Sequence, residues 1–234
     1  MEIAIWSDYV CPFCYIGKRR MERALQETGF AGQATIQLKS YQLDAGTPEV
    51  VTESVYESLA RKYNTSIDQA KAMTNNVVEQ AKSEGLDYNF EHAKPANTAR
   101  AHRLVKWADT QQKGNDLGEA LLQAYFIDGK NINDIEVLAE LAAAVDLDAE
   151  QAKEVASSNQ FFPEIQIDQT EAAQIGIRGV PFFVLNNKYA ISGAQPIEVF
   201  KEALEKVAQE EGLKPSLQTI GGTGATCEGD SCDW

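Results

Sequence analysis

The feature that most constrains this chain lies near its amino-terminal end, where an apolar run, a turn and two cysteines follow one another. Residues 3–6 have the character of a strand, and an amphipathic pattern that starts at Cys11 and Cys14 predicts a helix to about residues 27–29. Pro12 suits the first turn of a helix, because the backbone N–H that proline lacks would have no partner there. The sequence therefore predicts a strand–turn–helix unit with Cys-x-x-Cys at the start of the helix.

This arrangement predicts a reactive thiol. The unpaired N–H groups and the positive end of the helix dipole favour a thiolate in the first turn. We interpret Cys11 as the exposed nucleophile and Cys14, one turn deeper, as the thiol that resolves a mixed disulfide. The helix is predicted to bury Ile16, Met21, Ala24 and Leu25 and to present Lys18, Arg19, Arg20, Glu22 and Arg23 to solvent.

The net charge and the number of cysteines limit the classes of function that this chain can have. The chain has 21 Lys and Arg against 35 Asp and Glu, a net charge of −14, which argues against partners such as nucleic acid or anionic membranes. The sequence shows no basic region followed by an apolar segment at its start, and no apolar run of roughly 20 residues. We therefore expect a cytoplasmic location without membrane contact. The four cysteines then point to catalysis, redox sensing or metal binding. Zinc is the alternative to redox chemistry; Pro12 favours redox chemistry, and we expect no metal.

The rest of the chain predicts an interrupted α/β arrangement. A strand is expected within residues 34–43, a block of about five or six helices over 52–157, a helix after Pro163, two strands at 182–185 and 189–192 joined by a turn, and a helix from Pro196. We predict one sheet-and-helix domain made of residues 1–48 plus 160–213, with an all-helical domain of residues 49–159 inserted into it. Residues 214–234 are predicted to be a flexible tail that carries Cys227 and Cys232.

Three groups of residues carry a resemblance to a known family. These are Ser7-Asp8 ahead of Cys11-Pro12-Phe13-Cys14-Tyr15-Ile16-Gly17, then Gly-Ile-Arg-Gly-Val-Pro-Phe-Phe at 176–183, then Ser-Gly-Ala-Gln at 192–195. Together they resemble the DsbA-like oxidoreductases, which have a thioredoxin-like fold with a large all-helical insertion, and within them the FrnE-like branch. The Cys-x-x-x-x-Cys spacing of Cys227 and Cys232 is similar to an element of some members of that branch.

The resemblance implies specific roles. Pro181 would be a cis-proline that faces the cysteine pair, and Val180 would present backbone groups to a bound substrate. Pro12 and Phe13 would also meet the substrate and tune the redox potential. The implied activity is thiol–disulfide exchange with protein or small-molecule partners and no organic cofactor, with a homodimer as one assembly.

Two other functions stay open on the sequence. One is a glutathione-dependent transferase or isomerase, like the kappa-class transferases and chromene-carboxylate isomerases that share the inserted fold. These relatives typically have serine at the position of Cys11, so the presence of both Cys11 and Cys14 favours disulfide exchange. The other is a holdase-like binding protein that uses the helical surface and needs no thiols.

Several residues outside the motif could have a role in the chemistry or a purely structural one. A tail of roughly 14 residues after Leu213 reaches about 20 Å, so Cys227 or Cys232 could exchange with Cys11. Asp8 is expected to be a turn residue, with proton exchange with the buried thiol as the alternative. The two histidines, His92 and His102, are expected to be surface or capping residues.

Overall fold

The computed structural model describes residues 1–216 and the backbone of two short strands at 227–228 and 231–232. The described elements follow in this order: β1 Glu2–Ser7, α1 Pro12–Glu27, a 3-10 turn Ala31–Gln33, β2 Thr35–Ser40, α2 Val55–Tyr63, α3 Ile67–Ser83, α4 Ala99–Asp109, α5 Gly114–Phe126, α6 Ile135–Ala144, α7 Ala149–Ser157, α8 Phe162–Ile175, β3 Phe182–Leu185, β4 Tyr189–Ser192, α9 Ile197–Glu211, β5 Cys227–Glu228 and β6 Ser231–Cys232.

The main sheet has the strand order β2-β1-β3-β4. Strand β1 pairs in parallel with β2, with Ile3 opposite Ile36, and antiparallel with β3, with Ile3 also aligned to Leu185. The parallel pair needs a crossover, and α1 supplies it. A mixed sheet of this order, interrupted by a helical block, is the thioredoxin-like α/β fold with a helical insertion that the sequence predicts.

The two faces of the sheet are both covered. On one face, Phe183 of β3 packs edge-on against Phe200 of α9, with ring centroids 4.9 Å apart. On the other face, Trp6 of β1 packs with Ala172 of α8. Because α1 also packs against α9, helix α9 holds α1 to the sheet.

The hairpin turn between β3 and β4 is confirmed at residues 186–188. Asn186 and Asn187 have φ angles of 48° and 53°, the left-handed region that asparagine tolerates better than most residues. This turn aligns Phe182 with Ser192 across the hairpin.

The helices α2 to α7 occupy the segment between β2 and α8. Side chains cap their first turns: Asp134 accepts from the N–H of Glu136 and Asp148 from that of Gln151. A single hydrophobic cluster includes both Ile5 of the sheet and Leu104 of α4, so these helices extend the core of the sheet domain. The domain boundaries given above stay a prediction.

The expectation that Lys18 faces solvent is wrong, because helix α5 covers that part of α1. Lys18 is buried, and its Nζ lies 2.5 Å from both Glu22 and Glu119, which belongs to α5. Arg19 also pairs with Glu119, whose carboxylate accepts a hydrogen bond of 2.5 Å from the Tyr15 hydroxyl. These ion pairs fasten the insertion to the helix that carries the cysteines.

In the tail, the structure describes the backbone of two paired strands. They run antiparallel, and their register sets Cys227 opposite Cys232. At the start of the predicted flexible tail, the carbonyl of Lys214 accepts from Nε2 of Gln33 at 2.7 Å, and the N–H of Ser216 donates to the carbonyl of Gly29 at 2.9 Å. For the rest of residues 214–234, apart from the two strands, the predicted flexibility falls outside the described residues. No helix in the described part of the chain combines the length and apolar character needed to cross a bilayer.

Candidate active site

The two cysteines lie at the start of α1, as the sequence predicts. Cys11 is the N-cap residue, with extended backbone angles of −92° and 111°, and Pro12 follows at the first helical position. The N–H of Cys11 donates to the carbonyl of Asp8 at 3.1 Å, and the N–H of Cys14 donates to the carbonyl of Cys11 at 3.0 Å. The turn after β1 is therefore tied by hydrogen bonds to the first turn of the helix.

The prediction that Cys11 is exposed is wrong for this structure. Its exposed fraction is 4%, and that of Cys14 is 1%. The Cys11 thiol donates to the carbonyl of Val180 at 3.5 Å, so the loop before β3 lies against the sulfur. The exposed residue of the motif is Phe13, two positions after Cys11.

The Cys14 thiol is held in its neutral form. Burial raises its pKa well above the ordinary value of a thiol, and the adjacent Cys11 raises it further through a hydrogen bond and its charge. Hydrogen bonds from the Ser7 side chain and the Asp8 backbone act in the opposite direction but do not outweigh burial. At neutral pH, Cys14 is therefore a protonated thiol behind Cys11, which suits a resolving cysteine.

The loop that covers Cys11 contains a cis peptide bond between Val180 and Pro181. The carbonyl of Pro181 accepts a hydrogen bond of 2.8 Å from the N–H of Gly193, which fastens the loop to the end of β4. Beside the loop lies an open groove of about 460 Å³, lined by Gly176, Arg178, Gly179, Val180, Pro181, Phe182, Ser192 and Gly193.

The helix and the loop approach closely at Gly17. A Cβ atom at this position would lie 3.0 Å from Cγ of Pro181 and 3.0 Å from Cζ of Phe183. Glycine therefore allows the contact between α1 and the start of β3 that brings Val180 to Cys11.

Tyr88, which no sequence pattern singles out, is part of this site. It lies between α3 and α4, and its hydroxyl donates to the carbonyl of Pro12 at 2.7 Å. Its ring stacks on Phe126 with a centroid distance of 4.7 Å. Burial chiefly, and next the charge of Cys11, raise the pKa of this hydroxyl, so it remains a donor.

The expectation that His102 is a surface or capping residue is also wrong, because α4 packs against the turn that follows β1. His102 has an exposed fraction of 1%, and its Nε2 lies 3.2 Å from Oδ1 of Asp8, which is itself fully buried. Asp8 is in the turn, as expected, but its carboxylate is enclosed by protein. His92 is exposed.

The structure does not describe where the thiols of the tail cysteines lie relative to this site. The side chains of Cys227 and Cys232 lie outside the described residues, so exchange with Cys11 stays a prediction. Within residues 1–216, no three or more His, Cys, Asp or Glu side chains form a group that could hold a metal ion.

Comparison with known proteins decides the family to which this site belongs. The profile of the DSBA-like thioredoxin domain matches residues 2–205. The chain belongs to the DsbA-like thioredoxin domain family. A solved relative of this DsbA-like protein is a "probable DsbA oxidoreductase" from Streptomyces coelicolor, which is 37% identical, with a TM-score of 0.84 over 100% of this chain and 98% of the other.

Two further proteins are less similar to this chain. The uncharacterized protein YwbO of Bacillus subtilis is 27% identical over 207 residues, which cover 87% of this chain and 96% of YwbO. The cytosolic disulfide reductase DsbM of Pseudomonas aeruginosa is 16% identical, with a TM-score of 0.62 over 90% of this chain and 100% of DsbM. A structure of DsbM with GSH matches at 14% identity and a TM-score of 0.64, over 89% of this chain and 100% of that one. The likeness to DsbM concerns the fold.

Proposed function

We propose that this DsbA-like protein is a thiol–disulfide oxidoreductase or isomerase that uses the Cys11-Pro12-Phe13-Cys14 motif. The observation that carries the proposal is the geometry of the cysteine pair. Cys11 caps a helix N-terminus with its sulfur 3.5 Å from the carbonyl of Val180, and Cys14 lies behind it as a buried thiol. A helix N-terminus favours the thiolate that attacks, and burial keeps the second thiol neutral until it is needed.

The chemistry needs two exchanges. The Cys11 thiolate attacks one sulfur of a substrate disulfide, that bond breaks, and the other substrate sulfur leaves as a thiolate. Cys14 then gives up its proton and attacks the Cys11 sulfur, which releases the first substrate sulfur as a thiolate and leaves a Cys11–Cys14 disulfide. The substrate has gained two electrons and the cysteine pair has lost them; the same steps run in reverse oxidise a dithiol.

The loop at Val180 and Pro181 supports binding of an extended substrate. The Val180 carbonyl accepts from the Cys11 thiol in the resting protein, and it is free to accept from a substrate N–H when Cys11 is a thiolate or part of a mixed disulfide. Phe13, between the two cysteines in the chain, offers an exposed aromatic surface. We therefore assign substrate contact to Pro12, Phe13, Val180 and Pro181.

The remaining parts of the proposal are the location, the branch and the tail. We propose a cytoplasmic oxidoreductase or isomerase of the FrnE-like branch. The cytosolic protein DsbM, which has a similar fold, supports the location, and the Cys-x-x-x-x-Cys spacing of Cys227 and Cys232 supports the branch. In the tail, the register that sets Cys227 opposite Cys232 supports a second exchanging pair. Thiol exchange needs no organic cofactor.

Insulin reduction and refolding of scrambled ribonuclease test the proposal. Native protein is expected to catalyse both, Cys11→Ser to lose both, and Cys14→Ser to accumulate a mixed disulfide that mass spectrometry detects. The double variant Cys227→Ser/Cys232→Ser separates the tail from the front pair. The proposal is wrong if Cys11→Ser retains full activity or if native protein has none.

A parallel assay addresses the glutathione-dependent alternative. Transfer of glutathione to an electrophilic aromatic substrate, measured on native protein and on Cys11→Ser, is expected to give no rate above the uncatalysed reaction. Glutathione conjugation that survives in Cys11→Ser would favour a transferase or isomerase, since relatives of that type typically have serine there.

A further inference from the structure

A buried carboxylate links the helical insertion to the cysteine pair, and the exchange steps above do not use it. Asp8 directly follows β1 and has an exposed fraction of 0%. Its Oδ1 accepts from the N–H of Tyr9 at 2.9 Å, and its Oδ2 accepts from the N–H of Leu43 at 2.8 Å. Its third contact is Nε2 of His102 on α4, 3.2 Å from Oδ1.

The main chain of the same residue contacts both cysteines. The Asp8 carbonyl accepts the N–H of Cys11 at 3.1 Å, and the Asp8 backbone forms a hydrogen bond with the Cys14 thiol. A displacement of the Asp8 carboxylate therefore displaces the backbone that holds the two sulfurs relative to each other.

His102 is the contact to Asp8 that the insertion provides. A buried carboxylate is costly unless its oxygens are hydrogen-bonded, and the two N–H donors come from the turn and from the loop after β2. A carboxylate oxygen only accepts, so the contact with Oδ1 is a hydrogen bond when Nε2 of His102 carries a proton and donates it. The ring of Tyr9 lies against the imidazole with a centroid distance of 4.8 Å, which limits its rotation.

The Asp8 carboxylate also acts on nearby tyrosines through its charge. Burial first, and the Asp8 charge second, raise the pKa of Tyr125 on α5, so Tyr125 stays neutral. Burial likewise dominates the raised pKa of Tyr9, with charges of Asp109, Asp8, Asp168 and Cys14 contributing in that order. Among the described residues, the side chain that contacts the Asp8 carboxylate is that of His102.

We propose that His102 is a positioning residue for Cys14: its hydrogen bond to Asp8 holds the turn that aims the Cys14 sulfur at a mixed disulfide on Cys11. The inference rests on the proposed thiol–disulfide exchange. In the step concerned, Cys14 loses its proton to solvent and bonds to the Cys11 sulfur. The bond between Cys11 and the substrate breaks, and the substrate leaves as a thiolate that takes a proton from solvent. The substrate disulfide is the electron acceptor.

The test measures both exchanges in one trace. With 5,5′-dithiobis(2-nitrobenzoate) as the probe, capture by Cys11 releases one coloured thiolate and resolution by Cys14 releases a second. The protein is the Cys227→Ser/Cys232→Ser variant, so that the tail thiols do not react with the probe. The quantity compared is the ratio of the resolution rate to the capture rate.

Four further substitutions are made in that background. His102→Leu removes the donor, His102→Asn retains polarity but is too short to reach, and His102→Gln retains a donor at the position of Nε2. His92→Leu is the matched control on an exposed histidine. We expect the ratio to fall about tenfold in the Leu and Asn variants, because the loss of a hydrogen bond to a charged group typically changes an equilibrium or a rate by about that factor. In the Gln variant we expect the ratio to stay within about threefold of the parent.

Circular dichroism establishes which variants are folded, and the Asn and Gln variants carry the comparison if the Leu variant is not. A general loss of stability alone changes the capture and resolution phases together. The ratio of the resolution rate to the capture rate in the folded fraction then stays the same. An unchanged ratio in folded Leu or Asn variants overturns the inference. Failure of the proposed function is distinguishable, because the parent protein itself would then show no capture phase that depends on Cys11.

Discussion

The contact at Gly17 makes a prediction whose sign depends on the fold. In an open helix, Gly→Ala stabilises by about 0.8–1.0 kcal/mol, because alanine loses less backbone entropy on folding. Here the added Cβ would lie 3.0 Å from both Cγ of Pro181 and Cζ of Phe183, which is closer than ordinary van der Waals contact. Overpacking of this kind costs typically about 1–3 kcal/mol.

Neither neighbour of Gly17 can move away cheaply. Pro181 is anchored by its hydrogen bond of 2.8 Å from Gly193, and Phe183 packs edge-on against Phe200 at 4.9 Å. If the cost is about 2 kcal/mol and the helical gain about 1 kcal/mol, Gly17→Ala lowers the free energy of unfolding by about 1 kcal/mol. Because Pro181 shifts with it, the turnover of insulin reduction is expected to fall as well.

Urea unfolding of native protein and of Gly17→Ala measures the difference. The control is Gly32→Ala, because a Cβ there meets nothing within 4 Å. The reasoning is refuted if Gly17→Ala is more stable than native protein by the full helical gain of about 1 kcal/mol, since that would require free space at the helix–loop contact.

Three other predictions concern the contacts around the cysteines. Tyr88→Phe removes the donor to Pro12 and is expected to lower the free energy of unfolding in urea by about 0.5–1.5 kcal/mol. Burial opposes ionisation of Glu119, but Lys18 and the other donors outweigh it and lower its pKa, so Glu119→Gln is expected to destabilise by about 1.5–3 kcal/mol near neutral pH. That difference is present above the ordinary carboxyl pKa and is lost as the pH falls through the lowered folded value, which urea titrations at several pH values will measure. Burial raises the pKa of Cys14, so its alkylation in a Cys11→Ser variant, followed by mass spectrometry, is expected to have a midpoint above about 8.5, the value of a free thiol.

Each of these has an outcome that contradicts it. Tyr56→Phe, which removes a longer 3.2 Å bond to Glu91 in the same insertion, is the control for Tyr88 and is expected to cost less; the reverse order would count against the Pro12 contact. A stability difference for Glu119→Gln that grows on acidification would contradict the lowered pKa of the Glu119 carboxyl. Rapid alkylation of Cys14 at neutral pH would mean that it is not buried.

Local patterns in the sequence are sufficient for much of the fold. The helix start at Cys11 and Pro12 and the turn at Asn186 and Asn187 depend on neighbouring residues only, and both are where the sequence predicts them. The insertion is also visible in the sequence, because its helices have caps and periodic apolar residues of their own.

The parts that the sequence does not reveal depend on distant contacts. Cys11 is buried by Val180, which is 169 positions away, and His102 meets Asp8 across 94 positions. The helical pattern of α1 predicts that Lys18 faces solvent, because that pattern contains no information on Glu119, which lies on α5 and pairs with Lys18. Tyr88 carries no pattern of its own, since its role comes from a single hydrogen bond to a carbonyl.

The order of the strands also bears on the biosynthesis of the protein. Strand β1 pairs with β3, whose residues begin at Phe182, so the loop that shelters Cys11 is translated only after the whole helical insertion. At ordinary speeds of translation, roughly ten to thirty seconds separate the two segments at the ribosome. During that interval both thiols of the nascent chain are open to oxidants and to mispairing with other proteins. The fold can therefore shelter Cys11 only after the segment that contains Val180 has emerged.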